Sequence, residues 1–111
     1  MKTGIELIAE ERQRQIEKEG WDSTHDAEHA GGDMIGASMC YAANALNKIH
    51  GEEMARAQIR SYDENGGEWM DAWPWSKDWD KREKHDAKRS LIIAGALIAA
   101  ELDRISKGGA V

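Results

Sequence analysis

The hydrophobic positions along this chain follow the period of helices. In the first twenty residues Ile5, Ile8, Arg12 and Ile16 recur at intervals of three and four, the spacing that stacks side chains on one helix face. Thr3 and Glu6 stand three apart, the spacing of a capping box, so a helix is expected to start near Gly4. Gly20 is its natural stop. Residues 21–32 read as a polar connection ending in Gly31-Gly32, after which Asp33 is expected to cap a second helix. That helix carries Ile35, Met39, Ala42, Leu46 and Ile49 as an amphipathic stripe, and Gly51 follows it.

Further on, residues 52–62 predict a short third helix with Met54 and Ile59 turned inward, and residues 63–67 a loop. Trp69, Trp73, Trp75 and Trp79 then crowd around the only proline, Pro74, and predict an irregular segment pinned by indoles. The last helix is expected to be capped by Ser76 or to start nearer Asp80. Its stripe is Leu91, Gly95, Ile98, Leu102 and Ile105, and Ile92 with Ala99 adds a second apolar flank. A helix with two apolar faces meets two neighbours, one of them here across an expected dimer axis. Ala94-Gly95-Ala96 predicts a close helix approach, because Gly95 costs roughly 1 kcal/mol against alanine inside a helix and needs a packing reason. Lys107-Gly108-Gly109 ends the structure. No period-two alternation competes with these readings. The expected fold is therefore all-α: a small antiparallel bundle of three to four main helices in one domain, 1–111, with an irregular Trp-rich segment, completed by dimerisation.

Composition sharpens this picture. The apolar content leans on alanine and phenylalanine is absent, so 111 residues bury little area per residue and a lone domain is only modestly stable. That favours a homodimer or higher homo-oligomer. A net charge of −6 argues against direct nucleic-acid binding, which depends on neutralising phosphates with Lys and Arg. It leaves room for a nucleotide held through a cation. The longest apolar run, 91–100, is too short to span a membrane. Glu6, Glu10 and Glu11 interrupt any signal-peptide core, so a cytoplasmic location is expected. The single Cys40 cannot form an internal disulfide and reads as a small buried hydrophobe.

The candidate chemistry is acidic. Glu83 and Asp86 are three apart, expected on one face at the start of the last helix, where a cation makes two adjacent carboxylates tolerable. Mg²⁺ takes hard oxygen ligands, and Asp33 with Glu10 or Glu11 would complete such a site. The competing reading is chance spacing among 21 acidic residues. His25, Asp26 and His29, in EGWDSTHDAEH, read either as transition-metal ligands or as hydrogen-bonded loop locks; no zinc spacing with cysteine exists. Lys81, Arg82, Lys84, Lys88 and Arg89 around Asp86 suit a triphosphate, or else form a solvated face in which Arg89 pairs with Asp86 one turn away. Trp73-Pro74-Trp75 reads as a base-stacking wall or as a plug for a core without phenylalanine.

These pieces together resemble a family. IAEERQRQIEKEGWDSTHDAEH, GGDMIGASMCYAANA and WPWSKDWDKREKHDAKRSLIIAGALIAAELDRI are similar to small phage and prophage proteins described as MazG-like, within the all-α nucleoside triphosphate pyrophosphohydrolase superfamily. The similarity covers nearly the whole chain apart from a variable segment at about 47–68. The resemblance implies Mg²⁺-dependent (or Mn²⁺-dependent) cleavage of a (d)NTP between its α and β phosphates, in the host cytoplasm if phage-encoded. The superfamily's E-x-x-D pair matches Glu83 and Asp86. Its E-x-x-E pair is not intact, the nearest counterparts being Glu28 with Asp33, or Glu10 with Glu11. On this reading Glu11 and Asp86 are catalytic, and Asp33, Glu83, Asp86 and Glu11 hold metal. Lys84, Lys88 or Arg89 offsets leaving-group charge, Trp21 or Trp75 contacts the base, and His29 holds a water or a phosphate, with Asp26 beside it in the substrate site. Two alternatives stand beside it. His25-Asp26 resembles the signature of HD-type nucleotide phosphohydrolases. The EGW stretch followed by a basic DxxR helix resembles the ligand-binding repeats named after ryanodine receptors, which would make this a non-catalytic binding or interaction module.

Overall fold

Thr3 opens the first helix as the capping box requires: its hydroxyl accepts from the Glu6 N–H at 3.2 Å, and the Glu6 carboxylate accepts from the Thr3 N–H at 3.2 Å. Gly20 closes it in the left-handed region, with φ +71°. The computed structural model describes residues 1–21, 32–51, 73–75, 78 and 80–108. The regular elements among them are α1 (Gly4–Glu19), α2 (Asp33–His50), a 3₁₀ turn (Arg82–Lys84) and α3 (Ala87–Ser106), with no strand. The expected helix over 52–62, the loop at 63–67, Trp69, Ser76, Trp79 and most of the 21–32 connection lie outside the described residues.

Two boundaries differ from expectation. Asp33 is the first residue of α2 rather than its cap; Gly32, at φ +93°, occupies the cap position and contributes no side-chain bond. An acidic residue in the first turn still complements the helix dipole. The last helix starts later than Ser76 or Asp80 would set it. Its cap is Asp86, whose Oδ1 accepts from the Arg89 N–H at 2.8 Å. Asp80 instead folds back onto Arg82, accepting from its Nε at 2.8 Å and its Nη2 at 2.6 Å.

α2 and α3 pack antiparallel, as two contacts between them and a third to the turn that precedes α3 establish. The Ser38 hydroxyl donates to the Ala94 carbonyl at 2.9 Å, the Asn44 amide donates to the Ser90 hydroxyl at 2.8 Å, and the Lys48 ammonium donates to the Glu83 carbonyl at 2.8 Å. The buried faces are not the expected stripes. α2 buries Met34, Ala37, Ser38, Cys40, Tyr41 and Ala45, and α3 buries Ser90, Ile93, Ala94, Ala96, Leu97, Ala100, Glu101 and Arg104. Met39 and Ile49 are exposed, and Leu91, Ile98 and Leu102 keep 50, 45 and 59% of their surface. Small residues at the contact let the two backbones approach until Ser38 reaches a main-chain oxygen of α3, which larger side chains would prevent. Cys40 is fully buried, as expected.

α1 also packs on α3, and Gly95 is the point of closest approach. A methyl group there would lie 2.5 Å from Ile8 Cδ1 and 2.8 Å from its Cγ1. The expected close approach at Ala94-Gly95-Ala96 is therefore real, with α1 as the partner. The stripe expected for α1 is only partly right. Ile5 is exposed, Ile8 and Ile16 are half-buried, and the buried positions are polar: Glu11, Arg12 and Gln15. No helix among the described residues is long and apolar enough to cross a membrane.

Candidate functional site

A polar stripe on the buried face of α1 needs partners: Arg12 donates to the Trp21 carbonyl at 2.9 Å and faces Asp103 near the end of α3 at 3.6 Å, while the partners of Glu11 come from α1 itself and from the start of α3. Glu11 is 3% exposed. Its Oε1 accepts from Arg14 Nε at 2.8 Å and from Arg89 Nη2 at 2.6 Å. Its Oε2 accepts from Arg14 Nη2 at 3.0 Å and from Gln15 Nε2 at 3.3 Å. Burial alone would raise the Glu11 carboxyl's pKa. The hydrogen bonds and charges of Arg14 and Arg89 outweigh it and hold the group below the ordinary carboxylate range. The reciprocal effect raises Arg14, whose Nη1 also reaches Glu19 Oε1 at 3.0 Å.

Beside this pair runs a chain of aromatic rings. Trp21 and Trp75 have centroids 6.1 Å apart, Trp75 and Trp73 5.4 Å edge-on, Trp73 and Tyr41 5.8 Å edge-on, and Tyr41 and His85 6.2 Å. Arg82 lies over Trp73 at 5.3 Å. Trp21, Trp73 and Trp75 are partly buried and pack on the core of Met34, Ala37, Tyr41, Ile93, Ala94, Leu97 and Ala100. They plug the core while remaining partly exposed. Burial raises the Tyr41 pKa, with Asp80 adding to the shift and Arg82 opposing it, so the phenol keeps its proton at neutral pH. His85 is lowered, by burial first and then by the positive charges of Lys84 and Arg89, with Glu11 opposing, which favours the neutral imidazole.

The residues singled out in the sequence are placed as follows. Glu11 and Arg89, 78 positions apart, are joined directly. Asp86 adjoins them through the Arg89 backbone, not through a guanidinium pair as its spacing suggested. Glu83 lies in the 3₁₀ turn, outside α3, so it and Asp86 do not share a helix face; its side chain is exposed. Lys84 is exposed in the same turn, and Asp33 is half-buried at the start of α2. Trp21 and Trp75 are in ring contact. His25, Asp26, Glu28 and His29 lie outside the described residues. Among the described residues, no group of three or more His, Cys, Asp or Glu side chains is placed to hold a metal ion.

Arg14, Gln15, Tyr41, Asn44 and Lys48 were not legible as site residues. A signal existed. Glu11, Arg14 and Gln15 are spaced three and four apart, as are Tyr41, Asn44 and Lys48, so each set shares a helix face. Neither set is apolar, and a search for hydrophobic stripes passes over both. Comparison with known proteins returns no matching family model, no matching characterised relative and no matching solved structure.

Proposed function

We propose that this chain is a nucleoside triphosphate pyrophosphohydrolase, releasing pyrophosphate from a (d)NTP, with its reaction centre at the Glu11–Arg89 junction of α1 and α3. The all-helical architecture agrees with the resemblance to MazG-like proteins. The observation that carries the reading is the buried Glu11 carboxylate tied at 2.6 Å to Arg89, with a second guanidinium from Arg14 on the same group. Guanidiniums offer paired donors matched to phosphate oxygens. Lys84 and Lys88, both exposed nearby in the chain, add positive charge for the leaving group. The edge of Trp75 offers a surface for the base.

Mg²⁺ or Mn²⁺ is the cofactor this proposal calls for, and when bound it would neutralise phosphate charge and activate water. The described carboxylates, as placed, do not form its donor set: Glu11 is saturated with N–H donors, Asp86 caps α3, and Glu83 faces solvent. That same saturation favours a second reading, a non-catalytic module that binds a phosphorylated ligand. A panel of ribo- and deoxynucleoside triphosphates with Mg²⁺, monitored for pyrophosphate, separates the two. Release from at least one nucleotide, abolished by Asp86→Ala with helical CD retained, supports the enzyme. Binding without turnover across the panel leaves the module.

The dimer belongs to the same proposal. Leu91, Ile98 and Leu102 form an exposed apolar row along α3, and a second copy is the occupant proposed for it.

A further inference from the structure

Arg14 and Arg89 come from different helices and converge on one carboxylate. Their side chains are 42 and 36% exposed, whereas the carboxylate between them is buried. An anion arriving from solvent therefore meets the guanidiniums before it meets Glu11. The donors it would find are the ones Glu11 uses: Arg14 Nε and Nη2 and Arg89 Nη2. With Glu19 accepting from Arg14 Nη1 at 3.0 Å the four side chains are formally neutral, but the Glu19 charge is exposed and screened, so the two guanidiniums face the buried point with only the Glu11 charge between them.

A second observation comes from Gln15. Its side chain is 1% exposed, its Nε2 donates to Glu11 Oε2 at a long 3.3 Å, and its Oε1 has no hydrogen-bond partner among the described residues. A buried carbonyl oxygen without a donor costs free energy. It lies beside the carboxylate, so the polar groups around Glu11 are incompletely satisfied in this arrangement. A bound water or a protonated ligand oxygen would complete them by donating to it; an unprotonated phosphate oxygen would not.

We infer that Arg14 and Arg89 form a binding site for a pyrophosphate-class oxyanion, in which the Glu11 carboxylate is the resident occupant that the incoming phosphate displaces. Glu11 stands in for the phosphate oxygens. When the ligand takes the guanidiniums, Glu11 is released from both and its oxygens become available for other work in the pocket. This rests on the nucleotide reading above and deepens it, because it explains how a saturated carboxylate and a reaction centre occupy the same point. It also fixes a sign. A side chain that competes with the ligand reduces apparent affinity by the fraction of molecules in which it holds the site, so removing its charge strengthens binding.

The test is metal-free titration of inorganic pyrophosphate by isothermal calorimetry into folded protein, with CD verifying each variant. The wild type is expected to bind. Arg89→Ala and Arg14→Ala each weaken binding about tenfold or more, as loss of a charge-assisted bond requires. Glu11→Gln tightens it by about an order of magnitude. Glu19→Gln removes an equal charge from the same arginine at an exposed, screened position and changes binding less than about threefold. A wild type that does not bind, arginine variants that bind as the wild type does, or a Glu11→Gln that is unchanged or weaker would overturn the inference. If Glu11→Gln does not fold, ¹³C NMR of the wild-type Glu11 carboxyl decides instead: saturating pyrophosphate must move its titration upward, and an unmoved titration overturns the inference. None of these readouts requires turnover, so a failed pyrophosphate-release assay, which sinks the hydrolase reading, is distinguishable from a failed titration, which sinks the anion site.

Discussion

Gly95→Ala is the most incisive perturbation of the fold, because two opposing terms of similar size act at one atom. Inside a helix, alanine is favoured over glycine by roughly 1 kcal/mol. Against this, the new methyl would lie 2.5 Å from Ile8 Cδ1 and 2.8 Å from Ile8 Cγ1. The Cδ1 can swing away. The Cγ1 moves only with χ1, and a β-branched side chain in a helix is nearly confined to one χ1 well. Overpacking of this kind costs about 1–3 kcal/mol. The net expectation is destabilisation of about 0–2 kcal/mol, or a fall in Tm of up to about 8 °C for a chain of this size. The decisive assay is a double-mutant cycle by thermal CD. In an Ile8→Ala background the clash is gone, so Gly95→Ala should raise stability by about 1 kcal/mol. The effect of one methyl group thus reverses or loses its sign with the residue opposite. Equal stabilisation in both backgrounds would refute the close contact of α1 with α3, and with it the geometry that brings Glu11 to Arg89.

Other expectations follow from the same contacts. Thr3→Ala removes the capping box of α1 and should cost about 1 kcal/mol, read as a lower urea midpoint at constant m. Asp86→Ala removes the cap of α3 and should lower stability by a similar amount while leaving the helical CD signal at 25 °C intact; outright unfolding would make Asp86 a structural residue and nothing more. Stability should fall on acidification in two windows. The His85 pKa is depressed below 6.5, so the unfolded chain takes up that proton first, and stability is lost as pH falls from 6.5 through the folded value. Glu11 is depressed below 4.5, and its contribution is lost in turn as pH falls through its folded value. His85→Asn should flatten the upper window of a Tm-against-pH curve and leave the lower one. Leu102→Lys should shift the protein toward monomer in analytical ultracentrifugation if the apolar row on α3 meets a second copy; an unchanged mass would count against that dimer.

What could be read from the sequence here is what depends on near neighbours in the chain. The capping box at Thr3 and Glu6, the stops at Gly20 and Gly51, and the helical period are all set within a few residues, by hydrogen bonds and backbone freedom that local composition decides. So was the absence of strands among the described residues. Which side of each helix faces inward was not local. Leu91, Ile98 and Leu102 have the larger apolar surface, yet the buried row of α3 is built on Ser90, Ala94, Leu97 and Ala100, since small residues on α2 and α3 permit closer backbones and a Ser38–Ala94 bond. The site divides in the same way. Glu11 and Arg89 were legible as charged residues with chemistry to do, but 78 positions separate them. Their pairing, the fate of Asp86 as a cap, and the enlistment of Arg14 and Gln15 depend on where α1 lands on α3. That landing is set by the missing side chain at Gly95 and the Ile8 that fills its place, a matter of shape between distant segments that no spacing along one segment encodes.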